Sequence, residues 1–395
     1  MKELARITES FTESVIREMT RVCDAMGGDN LSQGFPDFDA PQAVKEAAIR
    51  AVRDGHNQYP VTFGEPELRD AIAAKVMRYN GITCDPATEI TVTCGATEAM
   101  IATLKAIINP GDEVIVFEPF YENYGPDAIL SGATPRFVSL RLPDWSFDPD
   151  ELAAAFNERT KAIIINTPNN PTGKVFSREE LEKVAELCLQ WDTYAITDEI
   201  YEHIIYDGAQ HVSLATLPDM ADRTVTINGL TKTYSVTGWR VGWAIASAVI
   251  TQRIRKVHDF LTVGAPTPLQ IAGVTALGLP DSYYSQLAEG YRWSRDYLFE
   301  GLTAAGFHPT LPQGSYYILA RCGDLMERLG ASDDTSFSRR LIEEIGVATV
   351  PGSSFFNDPV QGSGIVRFAY CKQRETLERV RGRLAELADG MRSHG

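Results

Sequence analysis

From Glu89 to Phe117 the chain reads EITVTCGATEAMIATLKAIINPGDEVIVF, and this stretch decides the fold. Residues 89–93 read as a short strand, and Gly95-Ala96-Thr97 turns into a helix over about 98–108. Asn109-Pro110-Gly111-Asp112 breaks the helix, and residues 113–117 open the next strand. Upstream, Leu68, Ala71, Ile72, Lys75, Val76 and Tyr79 recur at i, i+3, i+4 spacing, with Gly81 as a stop signal, which predicts another helix. Downstream, residues 161–165 read as a buried strand, and Ser177 with Glu180 makes a capping box for a helix running to about Trp191. Further strands fall at 194–197, 224–227 and 241–246. Strands alternating with helices predict an α/β fold with a mainly parallel sheet and helices on both faces. The C-terminal part changes character, with strands at 315–319, 347–350 and 365–370 and a helix after Gln373 that aligns Leu377, Val380, Leu384 and Leu387. It reads as a smaller α+β domain, against which an N-terminal arm reaching about Asp39 is placed to pack.

The 395 residues carry 37 Lys plus Arg against 53 Asp plus Glu, a net charge of −16, and 44% are hydrophobic. That composition fits a soluble chain with a substantial core, and at about 100–200 residues per domain the length suggests two domains or one large domain with an appendage. An acidic balance argues against affinity for nucleic acid or anionic membrane, where Lys and Arg must neutralise phosphates. The N-terminus has no apolar run of the secretory kind and no stretch approaches the ~18 apolar residues of a membrane span, so a cytoplasmic protein is expected. The six cysteines are scattered with no C-x-x-C pair, as suits reduced thiols. The six histidines form no zinc-ligand spacing, so no metal is expected, and His203 and His211 read as surface or packing residues.

In open α/β sheets ligands sit outside the carboxyl ends of the strands. Five polar features fall there: Gly95-Ala96-Thr97, the run Asn166-Thr167-Pro168-Asn169-Asn170-Pro171-Thr172-Gly173, Asp198 with Tyr201, Lys232, and Arg240. An isolated loop lysine is usually solvated. Lys232 also suits an amine that forms a Schiff base with a carbonyl cofactor, if burial and a cation such as Arg240 lower its pKa. Asp198 is either a helix N-cap or a carboxylate facing a protonated ring nitrogen, which it would keep charged. Gly95-Ala96-Thr97 is either an ordinary turn or a phosphate site built on a helix N-terminus. No dinucleotide or P-loop fingerprint is present, which argues against a nicotinamide oxidoreductase.

Taken together, Asn166–Gly173, Thr197-Asp198-Glu199-Ile200-Tyr201-Glu202, Thr231-Lys232-Thr233-Tyr234 with Thr237-Gly238-Trp239-Arg240, and Ile365-Val366-Arg367-Phe368 resemble the class I/II aminotransferases of the pyridoxal-phosphate fold-type I superfamily. The arm Asn30-Leu31-Ser32-Gln33-Gly34-Phe35-Pro36-Asp37-Phe38 is most similar to the kynurenine, glutamine and methionine aminotransferase branch. The resemblance implies a three-layer large domain over residues 41–285 that binds pyridoxal 5'-phosphate. It also implies a small domain built from both termini, with 1–40 as arm and 286–395 as its C-terminal part. Lys232 would carry the Schiff base and move the proton, Asp198 would pair the ring nitrogen, and Tyr201 and Asn170 would bond the ring 3'-oxygen. Ala96, Thr97 and Arg240 would hold the phosphate, and Tyr121 would stack on the ring. Arg367 would clamp the substrate α-carboxylate, near Asn170 and Gly34. Tyr59 resembles the residue that reaches the neighbouring subunit's phosphate, which implies a homodimer with shared active sites. One departure stands out: many relatives place a phosphate-binding serine where this chain has Gly229, with Asn228 and Thr231 as the available substitutes.

The substrates implied are an amino acid and a 2-oxo acid. Dicarboxylate specialists carry a second cation, in one subgroup a lysine at the position of Thr97 and in another an arginine where Phe260 stands. Neither cation is present, which favours neutral or aromatic amino acids of the methionine, glutamine, phenylalanine or kynurenine type, with Phe35, Phe260 and Phe355 as an apolar wall. An aspartate-type aminotransferase and a cysteine-conjugate β-lyase on the same scaffold are the alternatives. A transcription regulator would carry a DNA-binding helical domain before the Gly34 segment, where only about thirty residues stand.

Overall fold

A computed structural model describes residues 2–392. Its largest sheet has eight strands, which run from edge to edge as Ile90–Thr93, Gly242–Ile245, Thr224–Gly229, Tyr194–Asp198, Thr160–Asn166, Glu113–Glu118, Thr134–Arg141 and Ser146–Phe147. The five strands from Thr224–Gly229 to Thr134–Arg141 pair parallel, and the two at one edge and the last at the other pair antiparallel. The mainly parallel expectation therefore holds for the centre of a mixed sheet.

Alternation along the central strands builds two apolar layers. Ile115, Ile163, Ile165 and Ala195 face one side, where Leu181, Val184 and Cys188 of the helix Arg178–Gln190 cover them. Val114, Val116, Ile164 and Ile196 face the other, against the helices Gly95–Ile107 and Ala248–Thr262. Both faces are buried, so these strands read as continuous apolar runs rather than alternating ones. The capping box at Ser177 forms in both directions and starts its helix at Arg178, as its spacing predicts.

Three local differences have physical reasons. The strand expected at 347–350 serves two sheets: Val347–Ala348 pairs parallel with Asp29–Asn30, and Val350–Pro351 pairs antiparallel with Ile365–Ala369. The strand expected from 315 begins at Tyr317, because Ser315 sits at φ 57° and turns its N–H to the Ile204 carbonyl. Thr134–Arg141 gives a weak strand signal because it lies next to the sheet edge and only its Val138 and Leu140 are buried.

A separate four-stranded antiparallel sheet joins His308–Pro309, Tyr317–Arg321, Ile365–Ala369 and Val350–Pro351. Leu377, Val380, Leu384 and Leu387 of the final helix are buried, the last three within the cluster of Phe307, Phe337 and Phe368. The N-terminal arm is tied to this region. The Ala369 N–H donates to the Leu31 carbonyl at 2.8 Å, Arg379 pairs with Asp29 at 2.8 Å, and Thr376 donates to Asp37 at 2.8 Å. Because the central strands are parallel, Asn166, Asp198 and Gly229 end on the same side of the large sheet, and that edge is where the cavity opens.

Candidate active site

Eleven residues carry the functional expectations, and ten of them line one cavity of about 510 Å³: Gly34, Ala96, Thr97, Tyr121, Asn170, Asp198, Tyr201, Lys232, Arg240 and Arg367. Tyr59 does not line it; 85% of that residue is exposed on the surface.

Lys232 lies in the turn after the strand Thr224–Gly229. Its Nζ donates to the Gly34 carbonyl at 3.2 Å and sits 5.7 Å from the centroid of the Tyr201 ring. Burial pushes its pKa down to about 8; Cys371 and Asp198 resist, while the cations of Arg367 and Arg240 push the same way as burial. Removing an ammonium from water is the dominant effect, so a nucleophilic amine is accessible near neutral pH.

Asp198 caps no helix, since the residues after it form turns. Its Oδ1 accepts the Ile200 N–H at 3.3 Å, and its Oδ2 accepts the Tyr124 hydroxyl at 2.8 Å. Burial nonetheless raises its pKa, and the bonds from Tyr124 and Ile200 and the charge of Lys232 only partly offset this. A buried carboxylate held between two neutral donors at a cavity wall lacks a cation, and a protonated ring nitrogen would supply one. Tyr201 is fully enclosed, and its hydroxyl lies 3.2 Å from that of Tyr317.

Ala96 and Thr97 occupy the first turn of the helix Gly95–Ile107, whose leading N–H groups are free for an anion. Arg240, at φ 55°, lies across this turn with Nη2 3.5 Å from Thr97 Oγ1. A Cβ on Gly95 would fall 2.5 Å from that same nitrogen, so only glycine leaves room for the guanidinium. This cradle fits a phosphate.

The Gly229 departure has a steric cause. Gly229 pairs with Gly242 in adjacent strands, and a Cβ on it would stand 2.8 Å from the Val241 carbonyl oxygen. It does not line the cavity. The Asn228 side chain is committed to backbone, with its amide on the Glu199 carbonyl at 3.0 Å and its oxygen on the Gly229 N–H at 2.7 Å. Thr231 does line the cavity and is the substitute that remains.

At the other end Arg367 is wholly buried between the rings of Tyr317 and Phe355, whose centroids lie 4.3 and 4.9 Å from its Cζ. Its Nη1 donates to Asn170 Oδ1 at 2.8 Å and its Nη2 to the Ser32 carbonyl at 2.6 Å, while its Nε has no partner among the described residues. Donors are thus left for a carboxylate. Gly34 must be glycine, because a Cβ there would meet the Tyr317 hydroxyl at 1.8 Å.

Of the three phenylalanines expected to form an apolar wall, only Phe35 lines the cavity. Phe355 packs under Arg367, and Phe260 is 92% exposed away from it. His203 and His211 are not surface residues. His211 bonds Glu199 at 2.8 Å, and His203 stacks between Tyr79 and Tyr284 with centroids 4.0 and 4.3 Å away. They belong to a buried network behind Asp198 and Tyr201, in which Lys75 pairs with Glu202 and Asn80 donates to Glu202 at 2.7 Å.

Arg17, Tyr124, Asn166 and Tyr317 are among the cavity residues with no role assigned from sequence. Asn166 donates to the Asp198 carbonyl at 2.9 Å and accepts the Asn170 N–H at 2.7 Å, so it locks two of the expected residues together. As the last residue of a parallel strand it carried the same signal as Asp198. Tyr124, three positions after Tyr121, carried only that spacing.

A family model described as aminotransferase class I and II matches residues 29–384. The probable N-succinyldiaminopimelate aminotransferase DapC of Mycobacterium tuberculosis is 39% identical over 391 residues, covering 96% of this chain and 97% of that protein. Kynurenine–oxoglutarate transaminase 1 of Mus musculus is 37% identical over 409 residues, covering 96% of each. The solved structure of YbdL from Escherichia coli, described as having a methionine aminotransferase function, superposes with a TM-score of 0.92 at 35% identity, covering 98% of this chain and 100% of that one.

Proposed function

The chain belongs to the class I and II aminotransferase family and is an enzyme of fold type I that uses pyridoxal 5'-phosphate; from that premise we propose that it moves the amino group of a neutral or aromatic L-amino acid to a 2-oxo acid. The observation that carries this reading is the placing of Lys232, Asp198 and Arg367 around one cavity, with an amine of lowered pKa, a carboxylate short of a cation and a guanidinium with donors to spare.

When bound, the cofactor supplies an aldehyde that condenses with amines and a ring that delocalises the electron pair left at Cα after proton loss. The residues of the chain do the rest. The first turn at Ala96 and Thr97, with Arg240, holds the phosphate. Tyr121 supplies an aromatic plane against the ring, Asp198 keeps the ring nitrogen protonated, and Tyr201 and Asn170 bond the ring oxygen. Lys232 Nζ would hold the cofactor's aldehyde carbon and would supply the base that takes the proton from the substrate Cα. Arg367 would hold the α-carboxylate and so orient the substrate with its Cα–H bond towards Lys232.

Substrate preference rests on Phe35 at the cavity and on the lack of a cation at Thr97 and Phe260. The exposure of Tyr59 and Phe260 supports a homodimer in which these residues complete the partner's site. Among the described residues no helix is long and apolar enough to cross a membrane, and we place the enzyme in the cytoplasm. The division at residues 40 and 285 is kept for the arm, the large domain and the small domain. The test is a panel of amino donors against 2-oxoglutarate and pyruvate, with Lys232→Ala as control. Methionine, glutamine, phenylalanine or kynurenine should lead the panel. Aspartate in first place would favour the aspartate-type alternative, and pyruvate and ammonia formed without an acceptor would favour the β-lyase.

A further inference from the structure

Two guanidiniums border the cavity that holds Lys232 away from the phosphate cradle. Arg367 is buried and already assigned to the α-carboxylate. The other is Arg17, in the first turn of the helix Val15–Met26, exposed at the cavity rim. In this acidic chain its neighbours on the helix are committed elsewhere: Arg21 pairs with Glu13 at 3.3 Å, and Glu18 pairs with Arg339. Among the described residues no carboxylate pairs with the Arg17 side chain. Gln33 lines the same rim; its Oε1 accepts from Thr20 at 3.3 Å, and its amide nitrogen has no partner among the described residues. The one acid on this rim is Glu122, and its Oε1 accepts the Ser14 hydroxyl at 2.5 Å.

We propose that Arg17, with Gln33, forms a subsite for the distal carboxylate of a dicarboxylic 2-oxo acid and of the amino acid it becomes, while Arg367 holds the α-carboxylate. This rests on the transaminase reading above and adds the class of the second substrate. The chemistry favours a rim position. A transaminase cavity takes two substrates in turn, and a buried cation meant for one of them would be left unpaired by the other. Arg17 avoids that conflict: a neutral side chain lies against Phe35 and leaves the guanidinium in water, whereas a carboxylate takes its planar fork. An arginine at the Phe260 position or a lysine at the Thr97 position is then not required.

The test compares kcat/KM for 2-oxoglutarate with that for pyruvate, using one neutral donor. Arg17→Gln should lower the ratio on the order of tenfold, the scale of a charge-assisted hydrogen bond discounted for an exposed rim. Arg17→Lys should recover part of it, and glutarate should inhibit Arg17→Gln more weakly than the wild type. A ratio unchanged in Arg17→Gln overturns the proposal, as does a wild-type enzyme that uses pyruvate but not 2-oxoglutarate. Loss of turnover with every acceptor in the wild type would instead bring down the transaminase reading itself.

Discussion

Arg367 Nη1 donates to Asn170 Oδ1 at 2.8 Å, which joins two residues 197 positions apart and ties the small antiparallel sheet to the loop at the edge of the large one. The bond fixes the guanidinium plane before any carboxylate arrives, and it turns the Asn170 side chain so that its oxygen is already spoken for. Asn170→Ala frees the guanidinium to rotate. It should raise KM for amino and oxo acids together, and Arg367→Ala should do so more strongly. Steady-state kinetics on both half-reactions checks this; a rise confined to one of the two substrates would be inconsistent with a shared clamp.

The amine of Lys232 has its pKa lowered from 10.5 to about 8, chiefly by burial. Lowering means that the neutral, nucleophilic form appears earlier as pH rises. Capture of the cofactor, monitored by stopped-flow absorbance, should therefore speed up as pH rises towards about 8 and level off above it. A rate that continues to climb through about pH 10 would mean that the amine is solvated.

Tyr124 donates the 2.8 Å bond that Asp198 Oδ2 accepts. Tyr124→Phe removes one of the two donors on a carboxylate that burial already pushes up, a loss of about 1.5–3 kcal/mol. Both kcat and cofactor affinity should fall, and the melting temperature without cofactor should fall as well, since the buried Asp198 oxygen is left without its donor. Equilibrium dialysis and calorimetry separate these effects.

Gly229→Ser introduces the serine that the family resemblance implies at this position but places Cβ 2.8 Å from the Val241 carbonyl oxygen and 3.0 Å from Gly242 Cα. It should weaken cofactor binding rather than strengthen it. Tighter binding in a titration would show that the strands separate at little cost.

Lys75 and Glu202 form a fully buried ion pair, with burial lowering the lysine pKa and Glu202 opposing it. Lys75→Met leaves the Glu202 charge without its cation, and breaking such a pair costs about 3–5 kcal/mol. The melting temperature should drop clearly, and Lys75→Met/Glu202→Leu should recover most of the loss.

The strands and most of the residues expected around the cavity were legible because parallel strands gather chemistry at their carboxyl ends. Asp198, Lys232 and Gly95-Ala96-Thr97 each stand at or just beyond the end of an apolar run, a position visible in the chain itself. Lys75 shows where that reading stops: its spacing put it on the apolar face of the helix Pro66–Tyr79, yet nothing local foretold Glu202 as its partner 127 positions away. Tyr124 was hidden for the same reason, since its partner is 74 positions on. Arg17 carried no signal at all, because an exposed arginine in an amphipathic helix is ordinary until the chain folds and places it at a rim. The strand Thr134–Arg141 and the divided segment at Val347–Pro351 were not legible because edge position and sheet membership are tertiary properties.

Gly229 and Gly242 face each other in neighbouring strands, and a Cβ on Gly242 would lie 2.5 Å from the Ala96 nitrogen. The helix end beneath the phosphate cradle thus rests on bare backbone. A side chain added to Gly242 would press on that helix end and displace it. Drift in what the enzyme accepts is channelled instead to the mouth, where Arg17, Gln33, Phe35 and Glu122 can be exchanged without disturbing the anchor below.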